Sequence, residues 1–226
     1  MRDLLGFDTE TTGVNWREDR VVTAALMWRS ADGTERTRSW LINPGIEIPA
    51  RATAIHGVTT EMAQTQGARP EVALEEVACE LAESLARQVP VLAFNASYDL
   101  RILDTELRRH GLASLADRLG GLLAPVIDPL VIDRAVDRYR RGQRKLVDLM
   151  ALYGLPRSDS LHDALEDVRQ AIAVFDAIEA RFPEIAALNA MKLHAWQAPR
   201  HRAWAENFNK WLTAQGRTPD ADLAWP

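Results

Sequence analysis

"LLGFDTETTG", residues 4–13, decides how the rest of the chain is read. Leu4 to Phe7 form an apolar run that reads as a buried strand. The run then delivers two carboxylates, Asp8 and Glu10, with one residue between them. On a strand, residues i and i+2 point to the same face, so Asp8 and Glu10 project together while Thr9 points away. Like charges held that close repel each other, and something must offset the repulsion.

Downstream, "VVTAALMW" (21–28) is a second apolar, β-branched run. Asp32-Gly33 is a turn signal, "TERTRSWLI" follows as a partner strand, and Asn43-Pro44-Gly45 stops it. The first 45 residues therefore read as three consecutive antiparallel strands, and residues 46–70 as loop. The period then changes. Leu74, Val77, Leu81 and Leu85 recur at helical spacing, followed by a short strand "VLAF" (91–94) and a helix marked by Leu100, Leu103 and Leu107. "APVID" (124–128) is a fifth strand, and helices follow around Leu146–Leu152 and Leu165–Phe175. A meander followed by alternating helices and strands predicts an α/β domain with a mixed five-stranded sheet flanked by helices.

The boundaries expected are a main domain over 1–182 and a helical extension over 183–226. The extension holds four of the seven tryptophans. Trp204, Phe208 and Trp211 fall on one helical face, expected to dock on the main domain, with Pro199 before the helix and Gly216 as a cap. A partner-binding or base-stacking surface is the alternative reading of that face.

With 226 residues and 47% hydrophobic content, the chain can fill one medium core. No apolar run reaches membrane-span length, and no signal peptide is recognised. The lone cysteine, Cys79, excludes an internal disulfide and fits a reducing, cytoplasmic setting. Its neighbours Val77 and Leu81 predict a buried, unreactive thiol. The net charge is -5, yet "RAVDRYRRGQRK" (134–145) carries six basic residues against one acidic. Such a run is either a solvated face or a track for phosphates.

Two further acidic groups bear on Asp8 and Glu10. In "FNASYD", Asn95 and Ser97 offer capping side chains and Asp99 falls in the first helical turn. In "LHDALEDV", a helix starting near Asp163 places His162 just outside it and Asp167 one turn in. Each acid alone is explained by the helix dipole. Together Asp8, Glu10, Asp99 and Asp167 supply four negative charges, which balance two divalent cations, and hard oxygen ligands suit Mg²⁺ or Mn²⁺. Two such ions can clamp a phosphate and stabilise attacking and leaving oxygens.

These motifs resemble the DEDDh family of 3′–5′ exonucleases, which includes the proofreading epsilon subunits of bacterial replicative polymerases. "FDTETTG", "NASYD" and "HDALEDV" resemble its three motifs, and "IHGVT" (55–59) a segment between the first two. Four residues separate His162 from Asp167, which favours the histidine branch over the tyrosine branch. The resemblance implies a ribonuclease H-like fold and two Mg²⁺ or Mn²⁺ ions. Asp8, Glu10, Asp99 and Asp167 are the implied ligands, and His162 the general base toward the attacking water.

The implied substrate is a nucleic-acid 3′ end, DNA ahead of RNA. The implied contacts are Thr9, Thr12, Gly13, Val14, His56, Val58 and Asn95, with Arg140, Arg141 and Lys145 along the phosphates. An HD-type phosphohydrolase is disfavoured because the remaining histidines have no useful spacing. A non-catalytic binding module is disfavoured because all five catalytic positions are intact. A polymerase or repair partner, or a second copy joined through the extension, is compatible with the sequence.

Overall fold

The computed structural model describes residues 2–156 and 163–226. Strands β1 (Leu4–Thr11), β2 (Val21–Arg29) and β3 (Glu35–Leu41) form the expected meander. Two short strands, β4 (Val91–Leu92) and β5 (Val126–Ile127), extend it to the order β3-β2-β1-β4-β5. β1 lies at the centre, antiparallel to β2 and parallel to β4. The result is the mixed five-stranded sheet that the sequence predicts.

Helices cover both faces. Leu5 and Phe7 of β1 pack with Val77, Leu81 and Leu103, from α3 (Pro70–Ala86) and α4 (Ala96–Arg109). Leu4 and the neighbouring Met27 pack instead with Val168, Ile172 and Phe175 of α8 (Ala164–Arg181). Alternation along one strand thus assigns Leu4, Gly6, Asp8 and Glu10 to the α8 side.

Gly6 sets how close α8 comes. A Cβ built there would lie 2.4 Å from Cγ1 of Val168. Asp167 precedes Val168, so this close approach also carries an acid toward Asp8 and Glu10. Gly6→Ala should push α8 outward at a cost of about 1–3 kcal/mol. The expected readouts are a lower Tm and weaker divalent-metal binding; an unchanged metal titration would show that α8 is not positioned by this contact.

Several sequence expectations change. Residues 46–70 are not only loop: they contain α1 (Ala50–His56) and α2 (Thr60–Gln66). These helices bury one alanine each, Ala52 and Ala63, so neither carries a periodic apolar stripe. Short helices α5 (Leu115–Leu119), α6 (Pro129–Val136) and α9 (Pro183–Ala186) were also illegible, while α7 (Leu146–Leu152) lies where its leucines predict. Cys79 is exposed. Residues two apart on a helix face nearly opposite ways, so apolar Val77 and Leu81 argue against burial of Cys79. Its thiol is nevertheless kept protonated, with burial and a bond to the Glu75 carboxylate both raising its pKa.

The last helix, α10 (Ala190–Ala214), begins well before Pro199, which lies inside it. The side chain of Asn189 caps it, accepting from Lys192 N–H at 2.9 Å. The face that docks is Leu193, Gln197, His201, Ala205 and Leu212, not the aromatic stripe. The helix sits against α6 and β5. Gln197 is fully buried and donates to the carbonyl of Val126 at 3.0 Å. Trp204, Phe208 and Trp211 lie to one side and stack on one another, and Trp211 is half exposed. No described helix is long and apolar enough to cross a membrane.

Candidate active site

At the C-terminal end of β1, carboxylate oxygens of Asp8, Glu10 and Asp167 all lie within 4.8 Å of one another. The pleat of β1 supplies the first two, and the first turn of α8 supplies the third. Asp163 caps α8, its carboxylate accepting from Leu165 N–H at 3.0 Å. That cap fixes where the helix starts and so where Asp167 falls.

Asp99 enters from the other side of β1. It is buried, and its Oδ1 accepts from Thr9 N–H at 3.1 Å and from the Thr9 hydroxyl at 2.7 Å. Thr9 therefore does point away from Asp8 and Glu10, and it grips the fourth acid while doing so.

The electrostatics run against four anions. Burial raises the Glu10 pKa to about 8, with Asp167 and then Asp99 adding repulsion. Burial likewise raises Asp99 to about 7, although the two bonds from Thr9 oppose the shift. Asp8 is driven well above the carboxylate range by burial, followed by repulsion from Asp99, Asp167 and Glu10. A group of oxygen donors that resist deprotonation in the absence of a counter-charge fits a divalent cation, which replaces protons as the source of positive charge.

The α4 end of the site depends on a residue that sequence reading left without a role. Asn95 adopts a left-handed backbone (φ 65°) and makes no side-chain cap. Asp128, at the end of β5, does the capping instead. Its carboxylate accepts from the N–H groups of Asn95 and Ala96, each at 3.0 Å, and from Leu130 at 2.9 Å. One buried acid thus starts both α4 and α6. The Asp128-Pro129 pair, an N-cap residue followed by proline, was the signal available in the sequence.

A pocket of about 340 Å³ adjoins Glu10 and is lined by Thr9, Gly13, Val14, His56 and Tyr98, among others. Val14 stands 87% exposed at its rim. Thr12 turns inward, its hydroxyl donating to Asp19 at 2.9 Å and accepting from Arg20 N–H at 3.0 Å. Gly13 is held against the same carboxylate: a Cβ there would meet Asp19 Oδ2 at 2.5 Å. Tyr98 donates its hydroxyl to the Gly13 carbonyl at 2.5 Å, a contact the sequence did not suggest. Burial of the phenol raises its pKa to about 12 and keeps that donor proton in place. His56 accepts at Nδ1 from Val58 N–H at 3.1 Å, which puts the ring proton on Nε2, and burial favours this neutral ring. Val58 and His56 also border a neighbouring hollow shared with Glu10 and Asp163.

The basic run divides. Arg140 and Arg144 both bond to the fully buried carboxylate of Asp133, at 2.8 Å for Arg140. Arg138, Arg141 and Lys145 are exposed, and Lys145 borders the cleft that contains Asp8 and Asp99. His162 lies outside the described residues.

Known proteins agree with this geometry. A family model described as RNase_T, exonuclease, matches residues 5–175. The DNA polymerase III subunit epsilon of Treponema pallidum is 27% identical over 178 residues, covering 77% of this chain and 75% of that protein. An uncharacterized exonuclease, CP81, of Escherichia phage 186 is 28% identical over 182 residues, covering 78% and 88%. In fold the chain is similar to Exonuclease I from Escherichia coli, solved zinc-bound with single-stranded DNA. The TM-score is 0.67 at 19% identity, with 89% of this chain and 44% of that one covered. Exonuclease I from Methylocaldum szegediense gives 0.65 at 22% identity, covering 92% and 45%. The chain thus spans less than half the length of these Exonuclease I structures. With the family model running from the first strand into α8 and spanning all four acids, this chain belongs to the RNase_T exonuclease family.

Proposed function

We propose that the protein is a metal-dependent 3′–5′ exonuclease that releases nucleoside 5′-monophosphates from single-stranded or frayed DNA ends, in proofreading or repair in the cytoplasm. The observation that carries this reading is the convergence of Asp8, Glu10 and Asp167 within 4.8 Å, with Asp99 gripped by Thr9 alongside. These residues would hold two Mg²⁺ or Mn²⁺ ions, Asp8, Glu10 and Asp167 around one and Asp8 with Asp99 around the other. The chemistry supplied by bound metal is stabilisation of charge on the attacking and leaving oxygens.

The chain's own groups do the rest. The pocket between Val14, His56 and Tyr98 receives the terminal nucleotide, with exposed Val14 as an apolar wedge. The His56 ring forms part of its wall. His162 takes the proton from the attacking water, a role an imidazole fills near neutral pH. Arg141 and Lys145 meet the phosphates behind the scissile bond. DNA is favoured over RNA because the polymerase subunit among the relatives and the structural neighbour solved with single-stranded DNA both point that way.

The test is an activity panel with Mg²⁺ or Mn²⁺ on single-stranded DNA, mismatched duplex DNA and RNA, each labelled at the 5′ end. Stepwise shortening from the 3′ end of DNA, with 5′-monophosphates as product, is expected. Faster degradation of RNA would assign the site to exoribonuclease work, and no hydrolysis on any strand would leave a binding module. His162→Ala should lower kcat about 10²-fold while the metal-induced rise in Tm persists. Full activity in that variant would remove His162 as the base.

A further inference from the structure

A second cavity, about 510 Å³, lies away from the four acids, between α6 with the segment after it and α10. Five arginines line it and no acid does. Arg134 and Arg138 come from one side and Arg200 from the other, with Trp204 and Phe208 forming the α10 wall. The arginines are not all spent on internal pairs. Arg140 and Arg144 share the buried carboxylate of Asp133, and Arg140 also lies 3.7 Å from Asp137, so those two are balanced and the unpaired charge in the groove comes from the others. Arg138 and Arg200 are exposed.

The aromatic wall is organised. The Trp204 and Phe208 rings stack at 5.3 Å and 13°, and Phe208 and Trp211 at 5.6 Å and 23°. Arg134 lies over the Trp204 ring at 3.6 Å and Arg200 over Trp196 at 3.9 Å. Alternating cations and flat rings offer partners for phosphates and for bases in the same groove.

The cavity also adjoins the cleft that holds the acids. Arg134 and Arg144 line both this groove and the pocket that contains Asp8 and Asp99. We infer that the groove between α6 and α10 is a distal subsite for the nucleic-acid strand, holding nucleotides on the 5′ side of those at the acids. The inference rests on the proposed exonuclease function, and it makes α10 a part of substrate binding. A strand long enough to enter the groove gains phosphate contacts to Arg138 and Arg200 and stacking against the aromatic wall. A strand too short to leave the cleft gains neither.

The experiment measures KM for a trinucleotide and for a strand of about 20 nucleotides, longer than a single-domain footprint. Wild-type protein should show a KM about tenfold or more lower for the long strand. Arg200→Glu and, separately, Phe208→Ala should each collapse that ratio toward one, and Arg200→Glu should flatten the salt dependence of long-strand binding by about one ion. Circular dichroism and Tm establish that each variant is folded; Arg200→Glu changes an exposed side chain, so it remains informative if Phe208→Ala unfolds. A ratio unchanged in Arg200→Glu overturns the subsite. So does sedimentation showing a dimer that Phe208→Ala dissociates and that the long strand fails to dissociate, which would give this face to a second copy of the chain. Absence of hydrolysis on either length would strike the exonuclease reading instead, and a direct binding titration of the long strand would still decide the groove.

Discussion

Asp8→Asn should abolish exonuclease activity, by about 10³-fold or more, and at the same time make the metal-free protein more stable at pH 8. The first effect follows from removing the carboxylate shared by both proposed metal positions, and with it the electrostatic stabilisation of the transition state. The second follows from the cost of burying Asp8 beside Asp99, Asp167 and Glu10. The sign can be worked from Glu10, whose pKa rises from 4.5 to about 8. Across that window the folded state keeps a proton that the unfolded chain has released. Metal-free stability therefore falls as pH rises from about 4.5 to about 8, and below that window the contribution is absent.

Replacing Asp8 with a neutral isostere removes one member of this repelling set. A gain of roughly 1–3 kcal/mol is expected at pH 8, or several degrees in Tm for a chain of this size. Mg²⁺ or Mn²⁺ at about 100 times its Kd should add about 2.7 kcal/mol to the wild type and far less to the variant. Differential scanning calorimetry with and without metal reads both. If Asp8→Asn melts lower than wild type without metal, or keeps the full metal shift, the acids are not a frustrated cation site.

The central features of the site were legible because they obey short-range rules. The period-2 pleat fixed Asp8 and Glu10 on one side of a strand, and the Asp163 cap fixed the phase of α8 and with it Asp167. What was illegible depends on long-range approach. Gly6 looks like any strand glycine until Val168 is seen 2.4 Å from where its Cβ would be. Asp128 reads as a strand-end acid until the N–H groups of Asn95 and Ala96, more than thirty residues earlier, are found on it. The aromatic stripe of α10 misled for a related reason. Its spacing marks a helical face, but spacing does not say what opposes that face. The docked side is instead read from Gln197 and His201, polar residues that no hydrophobic pattern selects.

Charge counting fails in the same way at residues 134–145, where Arg140 and Arg144 are indistinguishable in sequence from the exposed Arg141. Asp133→Ala should therefore be among the most destabilising single changes in the molecule. Asp133 is fully buried, accepts from both guanidinium groups, and is also reached by the Tyr153 hydroxyl at 3.2 Å. Truncating it leaves two mostly buried arginines with one partly exposed carboxylate between them, Asp137 at 3.7 Å from Arg140, and breaking such a buried pair costs about 3–5 kcal/mol. That is a large fraction of the ~5–15 kcal/mol that holds a typical domain together. Urea denaturation should show the midpoint falling by that amount, with Arg140→Ala losing part of it. Arg141→Ala should stay within about 0.5 kcal/mol of wild type, yet lower the slope of log K against log salt for DNA binding by about one. The two variants thus separate the arginines that shape the wall of the cleft from the one that meets phosphate. A stable Asp133→Ala protein with an unchanged midpoint would mean that Arg140 and Arg144 reach solvent once released, and that their pairing contributes nothing to the fold.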